Sequence, residues 1–125
     1  MKVGIIGSRT FNDYGLMVES LKGLKITTII SGGAIGADIL AEQYAKENDI
    51  PTKIFLPDWN KHGKSAGFLR NTDIVNESEM IIAFWDGISN GTKDSIEKAK
   101  KLNKQVIIIN TKKNEYRNFT KEKNP

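Results

Sequence analysis

Residues 28–44, TIISGGAIGADILAEQY, run from a β-branched stretch through Gly32, Gly33 and Gly36 into a pattern with helical spacing. An acid, Asp38, follows two positions after the last of these glycines. Glycine loses more backbone freedom on folding than any other residue, so a cluster at one junction needs a steric reason. Two reasons compete: a tight strand-to-helix turn, or a ligand lying against bare main chain. Beyond the junction, Ala37, Leu40, Ala41, Tyr44 and Ala45 recur at the spacing of one apolar helix face. The stretch therefore reads as strand, turn and helix.

The rest of the chain repeats that unit. Short apolar runs occur at 2–6 (KVGII), 26–30 (ITTII), 52–56 (TKIFL), 80–84 (MIIAF) and 105–109 (QVIII). They are continuous rather than alternating, as in strands buried on both faces. Helical spacing fills the intervals. Met17, Leu21 and Leu24 mark the first helix, and Phe68, Thr72 and Val75 one side of a helix over about 65–77. Ile96, Ala99 and Leu102 mark a helix over about 92–102, with Asp94–Lys98 and Glu97–Lys101 as supporting pairs one turn apart. Five strands alternating with four helices predict an α/β fold, a Rossmann-like three-layer sandwich. Its five-stranded, mainly parallel sheet carries helices on both faces. One domain is expected over 1–110, followed by a basic C-terminal tail over 111–125.

At 125 residues the chain is long enough for a single ordinary core. Its 38% hydrophobic and 27% charged residues read as globular rather than disordered. No apolar run approaches the ~18 residues of a membrane span. The start, MKVGIIGSRTF, reads as a first strand and not as a signal peptide. The chain has no cysteine, which excludes disulfide and thiol chemistry and suits the cytoplasm, the expected location. Of the net charge of +4, the tail holds five bases (Lys112, Lys113, Arg117, Lys121, Lys123) against Glu115 and Glu122. The body is thus nearly neutral, whereas a nucleic-acid binder concentrates bases on its folded surface. Neither nucleic acid nor a membrane is expected as a partner; self-association is left open.

In an open parallel sheet every strand-to-helix loop emerges at the carboxyl edge, where ligands bind. Here those loops are Gly7-Ser8-Arg9-Thr10, Ser31-Gly32-Gly33-Ala34-Ile35-Gly36, residues 57–64 (PDWNKHGK) and residues 85–92 (WDGISNGT). Glycine, hydroxyl and basic residues crowd this edge, while the opposite connections are ordinary turns with fewer glycines. Helix starts offer unpaired amides and partial positive charge, and glycines let a phosphate approach them. Arg9 adds a fork suited to phosphate or carboxylate. The spacing G-G-x-x-G matches neither the dinucleotide fingerprint nor the P-loop.

The motifs GSRTF, SGGAIGAD, AGFLRN and WDGISNGT, in that order, resemble the YspA/YpsA-like branch of the SLOG superfamily. That superfamily also contains the DNA-processing protein DprA and the LOG phosphoribohydrolases. The resemblance covers about residues 1–110 and implies a Rossmann-like sheet holding a nucleotide or nucleotide-derived ligand. By motif position it implies contacts from Gly7, Ser8, Arg9, Ser31, Gly32, Gly33, Gly36, Asp38, Arg70, Asn71, Ser89, Gly91 and Thr92. The LOG signature P-G-G-x-G-T-x-x-E is incomplete: Gly91-Thr92 remain, but Ser95 stands where its glutamate would fall. The glutamate of glycosidic-bond chemistry is therefore missing, and whether the chain is an enzyme stays open.

Several single residues carry two readings. Asp38 either neutralises a helix start or accepts a hydrogen bond from a ribose hydroxyl. Trp59 and Trp85 either pack or stack on a base. Asp86 is either the turn residue of an Asp-Gly pair or a catalytic acid for glycosidic cleavage. His62, the only histidine, has too few partners for a metal, and Ser65, His62 and Asp58 crowd one loop too closely for a triad. No metal or cofactor is expected. The leading expectation is a binder of a nucleotide-derived small molecule in a sensing, sequestering or processing role. The alternatives are an N-glycosidic-bond hydrolase acting on nucleoside monophosphates and, more weakly, a DprA-like DNA-binding accessory protein.

Overall fold

The computed structural model describes residues 1–111 and the main chain of 115–119. Strands β1 (Lys2–Gly7), β2 (Thr28–Ser31), β3 (Thr52–Ile54), β4 (Met80–Trp85) and β5 (Gln105–Asn110) form five parallel strands. Between them lie α1 (Tyr14–Leu21), α2 (Ala37–Glu47), the short α3 (Trp59–His62) with a 3-10 turn at Gly63–Ser65, α4 (Ala66–Glu77) and α5 (Asn90–Lys101). The sheet order is β3-β2-β1-β4-β5-β6, with β6 (Glu115–Phe119) antiparallel to β5. The expected Rossmann-like α/β fold is present.

The continuous apolar strands are sandwiched as their composition requires. Val3, Ile5, Ile29, Ile82 and Phe84 face Met17 and Leu21 of α1 and Ala37, Ala41 and Ala45 of α2. Ile6, Ile30, Ile81, Ala83 and Ile108 face Ile74 and Val75 of α4 and Ile96 and Ala99 of α5. Phe11, in the loop after β1, stacks on Phe84 with ring centroids 4.8 Å apart, which ties that loop to β4. The carboxyl end of α4 is held by Lys104, whose Nζ donates to the carbonyls of Val75, Asn76 and Ser78. That contact satisfies carbonyls left over at the helix end.

Three details differ from the sequence expectation. The core face of α4 carries Asn71, Ile74 and Val75, while Phe68 is 48% exposed. Leu102, expected on the core face of α5, is likewise exposed, at the end of that helix. The third is β6, which forms a strand on β5 within the segment expected as a tail. The basic side chains of that tail lie outside the described residues.

The topology also positions the site. β1 sends the chain toward β2 and β3, whereas its other neighbour, β4, continues toward β5. The loops leaving β1 and β4 therefore diverge and leave a crevice at the carboxyl edge. No helix among the described residues is long and apolar enough to cross a membrane.

Candidate functional site

The loops after β1 and β4 are built as one unit. Ser8 is buried, its amide donating to the Phe84 carbonyl at 3.0 Å. Its hydroxyl accepts from the Asp86 amide at 3.2 Å and meets the Ser89 hydroxyl at 3.1 Å. Asp86 Oδ1 accepts from the amides of Ile88 and Ser89, both at 2.8 Å, closing the β4–α5 turn. Burial pushes the Asp86 carboxyl up, but those two amides and the hydroxyls of Ser89 and Ser8 outweigh it and hold it below the usual range. An ionised carboxylate has no proton to give at neutral pH. The turn reading of Asp86 describes this geometry, and the general-acid reading has no support in it.

The opening glycines are explained by close approach of protein groups. Gly36, at φ +85°, is the N-cap of α2, and a Cβ there would collide with the main-chain oxygens of Ser8 and Arg9. That approach lets the Ala37 amide reach the Ser8 carbonyl at 3.4 Å. Gly33 has φ +71° and sits against Leu56 and Ile54. A Cβ on Gly32 would occupy the place of the Arg70 guanidinium, which lies beside it with the Asp38 carboxylate. Gly7 packs against the Phe84 main chain and Ala37.

Asp38 and Arg70 flank Gly32 at the floor of the crevice. Arg70 Nη1 donates to the Gly32 carbonyl at 2.6 Å, and its Nε to Asn71 Oδ1 at 3.1 Å. Burial raises the Asp38 carboxyl above its ordinary range, against the Ala34 amide at 3.1 Å and the Arg70 charge, which both favour ionisation. Burial also weighs on the Arg70 guanidinium; Asp38 offsets this in part, while the Arg9 charge adds to it. Arg9 and Arg70 thus sit near enough to repel each other, a cost that an anion between them would relieve.

A cavity of about 360 Å³ opens here. Three bases line it: Arg9, Lys64 and Arg70. So do Trp59 and Phe68, 54% and 48% exposed, from α3 and α4. Gly7, Ser8, Asp38, Asn71, Asp86, Ser89, Gly91 and Thr92 complete the expected residues on its wall. Ser31, Gly32, Gly33 and Gly36 are not on the wall; they lie behind it, where they shape the turn and seat Arg70.

The two glycine-rich helix starts differ in how their amides are engaged. At α2 the Ala34 amide is taken by Asp38 and the Ala37 amide by Ser8. At α5 the N-cap Ser89 makes no capping bond, because its hydroxyl is turned to Asp86 and Ser8. A Cβ on Gly91 would meet nothing within 4 Å. The start of α5 therefore presents amides and its positive dipole end to the cavity.

Phe68 and Lys64 are wall residues that the sequence reading did not place in the site. Spacing alone puts Phe68 on one helix side with Thr72 and Val75, and Lys64 is one basic residue among several in its loop. Trp85 packs on the second core face and donates from Nε1 to the Ser89 carbonyl at 3.0 Å, so packing is its role. Asp58 caps α3 by accepting from the Lys61 amide at 3.1 Å, which leaves no triad with His62. Among the described residues no group of three or more His, Cys, Asp or Glu side chains is placed to hold a metal ion.

Comparison with known proteins agrees with the fold. The solved structure of DNA processing protein A from Streptococcus pneumoniae superposes with a TM-score of 0.69 at 22% identity. That match covers 86% of this chain and 49% of the other, so this chain spans about half the length of the pneumococcal protein. DNA processing protein A from Helicobacter pylori, described for its single-stranded DNA binding mode, gives 0.67 at 24% identity, over 86% and 64% of the two chains. A molybdenum cofactor binding protein from Rippkaea orientalis gives 0.66 at 25% identity, over 86% and 74%. The expectation that nucleic acid is no partner gains no support from these likenesses. The Gene 61 protein of Mycobacterium phage D29 is 31% identical over 125 residues, covering 89% of this chain and 98% of that protein. Residues 1–62 match the family model described as YAcAr, YspA, cpYpsA-related SLOG family. With the ordered motifs and the switch-point cavity, these matches place the chain in the YspA, cpYpsA-related SLOG family.

Proposed function

We propose that this chain binds a nucleotide or nucleotide-derived small molecule in the cavity at the carboxyl edge, in a sensing, sequestering or processing role. One observation carries the reading: a single cavity is lined both by three bases with an open helix start and by two half-exposed aromatic rings. A phosphate suits the first set and a flat base the second. The volume of about 360 Å³ falls in the ~300–1,000 Å³ range of small-molecule sites. Asp38 is the group on the wall suited to a sugar hydroxyl.

A thermal-shift screen of nucleoside mono- and diphosphates, cyclic nucleotides and ADP-ribose tests this. A ligand at ~100 times its Kd adds about 2.7 kcal/mol of stability. Failure of every compound to shift the transition would remove the reading.

Asp38 supports a second reading. A buried carboxyl held above its ordinary range, on the wall of a ligand cavity, has the property required of a general acid in glycosidic cleavage. Chromatography for free base after incubation with nucleoside monophosphates separates the readings. Release that disappears in Asp38→Asn would make the chain a hydrolase; absence of release leaves a binder.

A further inference from the structure

Asp94, on α5, is not on the cavity wall, yet it begins a chain of contacts that ends there. Its Oδ2 receives the Lys98 ammonium at 2.7 Å and Asn71 Nδ2 at 3.3 Å. The same Asn71 nitrogen donates to the Gly91 carbonyl at 3.2 Å. Asn71 is buried, and its Oδ1 accepts from Arg70 Nε at 3.1 Å. Arg70 Nη1 in turn donates to the Gly32 carbonyl at 2.6 Å.

The chemistry of these groups gives the chain a direction. A carboxylate only accepts, whereas the asparagine amide has one donating and one accepting end. Asp94 and the Gly91 carbonyl therefore fix the donating end of Asn71 toward α5 and leave its oxygen for Arg70. With Nε and Nη1 both bound to fixed acceptors, the rest of the guanidinium fork is presented in one orientation. Pre-set orientation reduces the entropy lost when a ligand is engaged.

We infer that Asp94 is a positioning residue for the site: through Asn71 it holds the Arg70 guanidinium in the orientation that meets the ligand's anionic group. The anionic group rests on the nucleotide reading above, while the relay itself is a property of the free protein.

The experiment uses the 125-residue chain, labelled with ¹⁵N. The Arg70 Nε–H signal, assigned by its loss in Arg70→Lys, is expected to exchange slowly with water. In Asp94→Ala, where alanine favours the helix, that exchange is expected to accelerate at least about tenfold. Asp94→Asn keeps an oxygen of similar reach and should restore much of the protection. Lys98→Ala, which leaves the carboxylate, should leave the exchange nearly unchanged.

Binding is then measured with AMP and adenosine. AMP should weaken about tenfold in Asp94→Ala, the scale of a charged hydrogen bond, while adenosine is unchanged. Unaltered Arg70 exchange in Asp94→Ala, or equal acceleration in Lys98→Ala, would overturn the inference, as would equal losses for AMP and adenosine. If neither compound binds the wild type, the nucleotide reading fails for these probes, and the exchange measurement still decides the relay.

Discussion

Arg70 Nη1 donates to the Gly32 carbonyl at 2.6 Å, and its guanidinium fills the space that a Cβ on residue 32 would take. A glycine in the β2–α2 turn is thus required by an arginine on α4. The Gly32→Ala variant should push the guanidinium out of place. We expect at least about tenfold weaker binding of a phosphorylated ligand, on the scale of a charged hydrogen bond. Calorimetric titration checks this, and unchanged affinity would show that the seat of Arg70 has no part in recognition.

Arg9 is exposed, whereas Arg70 is half-buried and hydrogen-bonded to Gly32 and Asn71. Removal of Arg9 should therefore cost binding and not stability. For Arg9→Ala the expected loss is ~1.5–3 kcal/mol of ligand affinity. The thermal transition without ligand should move by no more than ~0.5 kcal/mol equivalent, as for other surface changes. A large stability loss with intact affinity would reverse the assignment.

Asp38 contributes a pH dependence that runs against the usual aspartate pattern and against that of Asp86, Glu47 and Glu77, whose carboxyls are held low. Burial raises its carboxyl in the folded state, so the folded chain holds that proton more tightly than the unfolded chain does. Its contribution to stability is complete below the pH at which a solvated aspartate titrates, about 3.9. It declines as pH rises through the raised folded value. Asp38→Asn should remove this decline and should not destabilise the protein at neutral pH. Denaturant unfolding of both forms across acidic to neutral pH reads the effect. A variant that is less stable at neutral pH, with the slope kept, would show that the ionised carboxylate is a net stabiliser.

The two tryptophans should report differently on a ligand. Trp59 is half-exposed on the cavity wall, whereas Trp85 is packed and hydrogen-bonded to Ser89. Base stacking should change the Trp59 fluorescence, and Trp59→Phe should abolish most of that change. A response that survives in Trp59→Phe would move the aromatic contact elsewhere.

The parallel sheet was legible in the sequence because strands buried on both faces leave continuous apolar runs that no helix period explains. The cavity's edge was legible because glycines and bases gather in loops that topology brings together. The role of the glycines was not, since Gly32 answers to Arg70 and Gly36 to the Ser8–Arg9 main chain, contacts that local spacing does not encode. Phe68 was misplaced for a related reason. The helix turns Asn71, Ile74 and Val75 inward, and Phe68 then falls on the cavity rim, although spacing alone made it a core residue. Strand β6 has the polar composition of a tail, and its pairing with β5 leaves no apolar run to read.

In the reading proposed above, two arginines and the start of α5 receive the anionic group of a nucleotide. Calorimetric titration of AMP into the wild type and into an Arg9→Ala, Arg70→Ala double variant decides whether they do. We predict saturable one-to-one binding to the wild type, and none to a double variant that still unfolds cooperatively. Undiminished binding by the double variant, or no heat from the wild type, would contradict it.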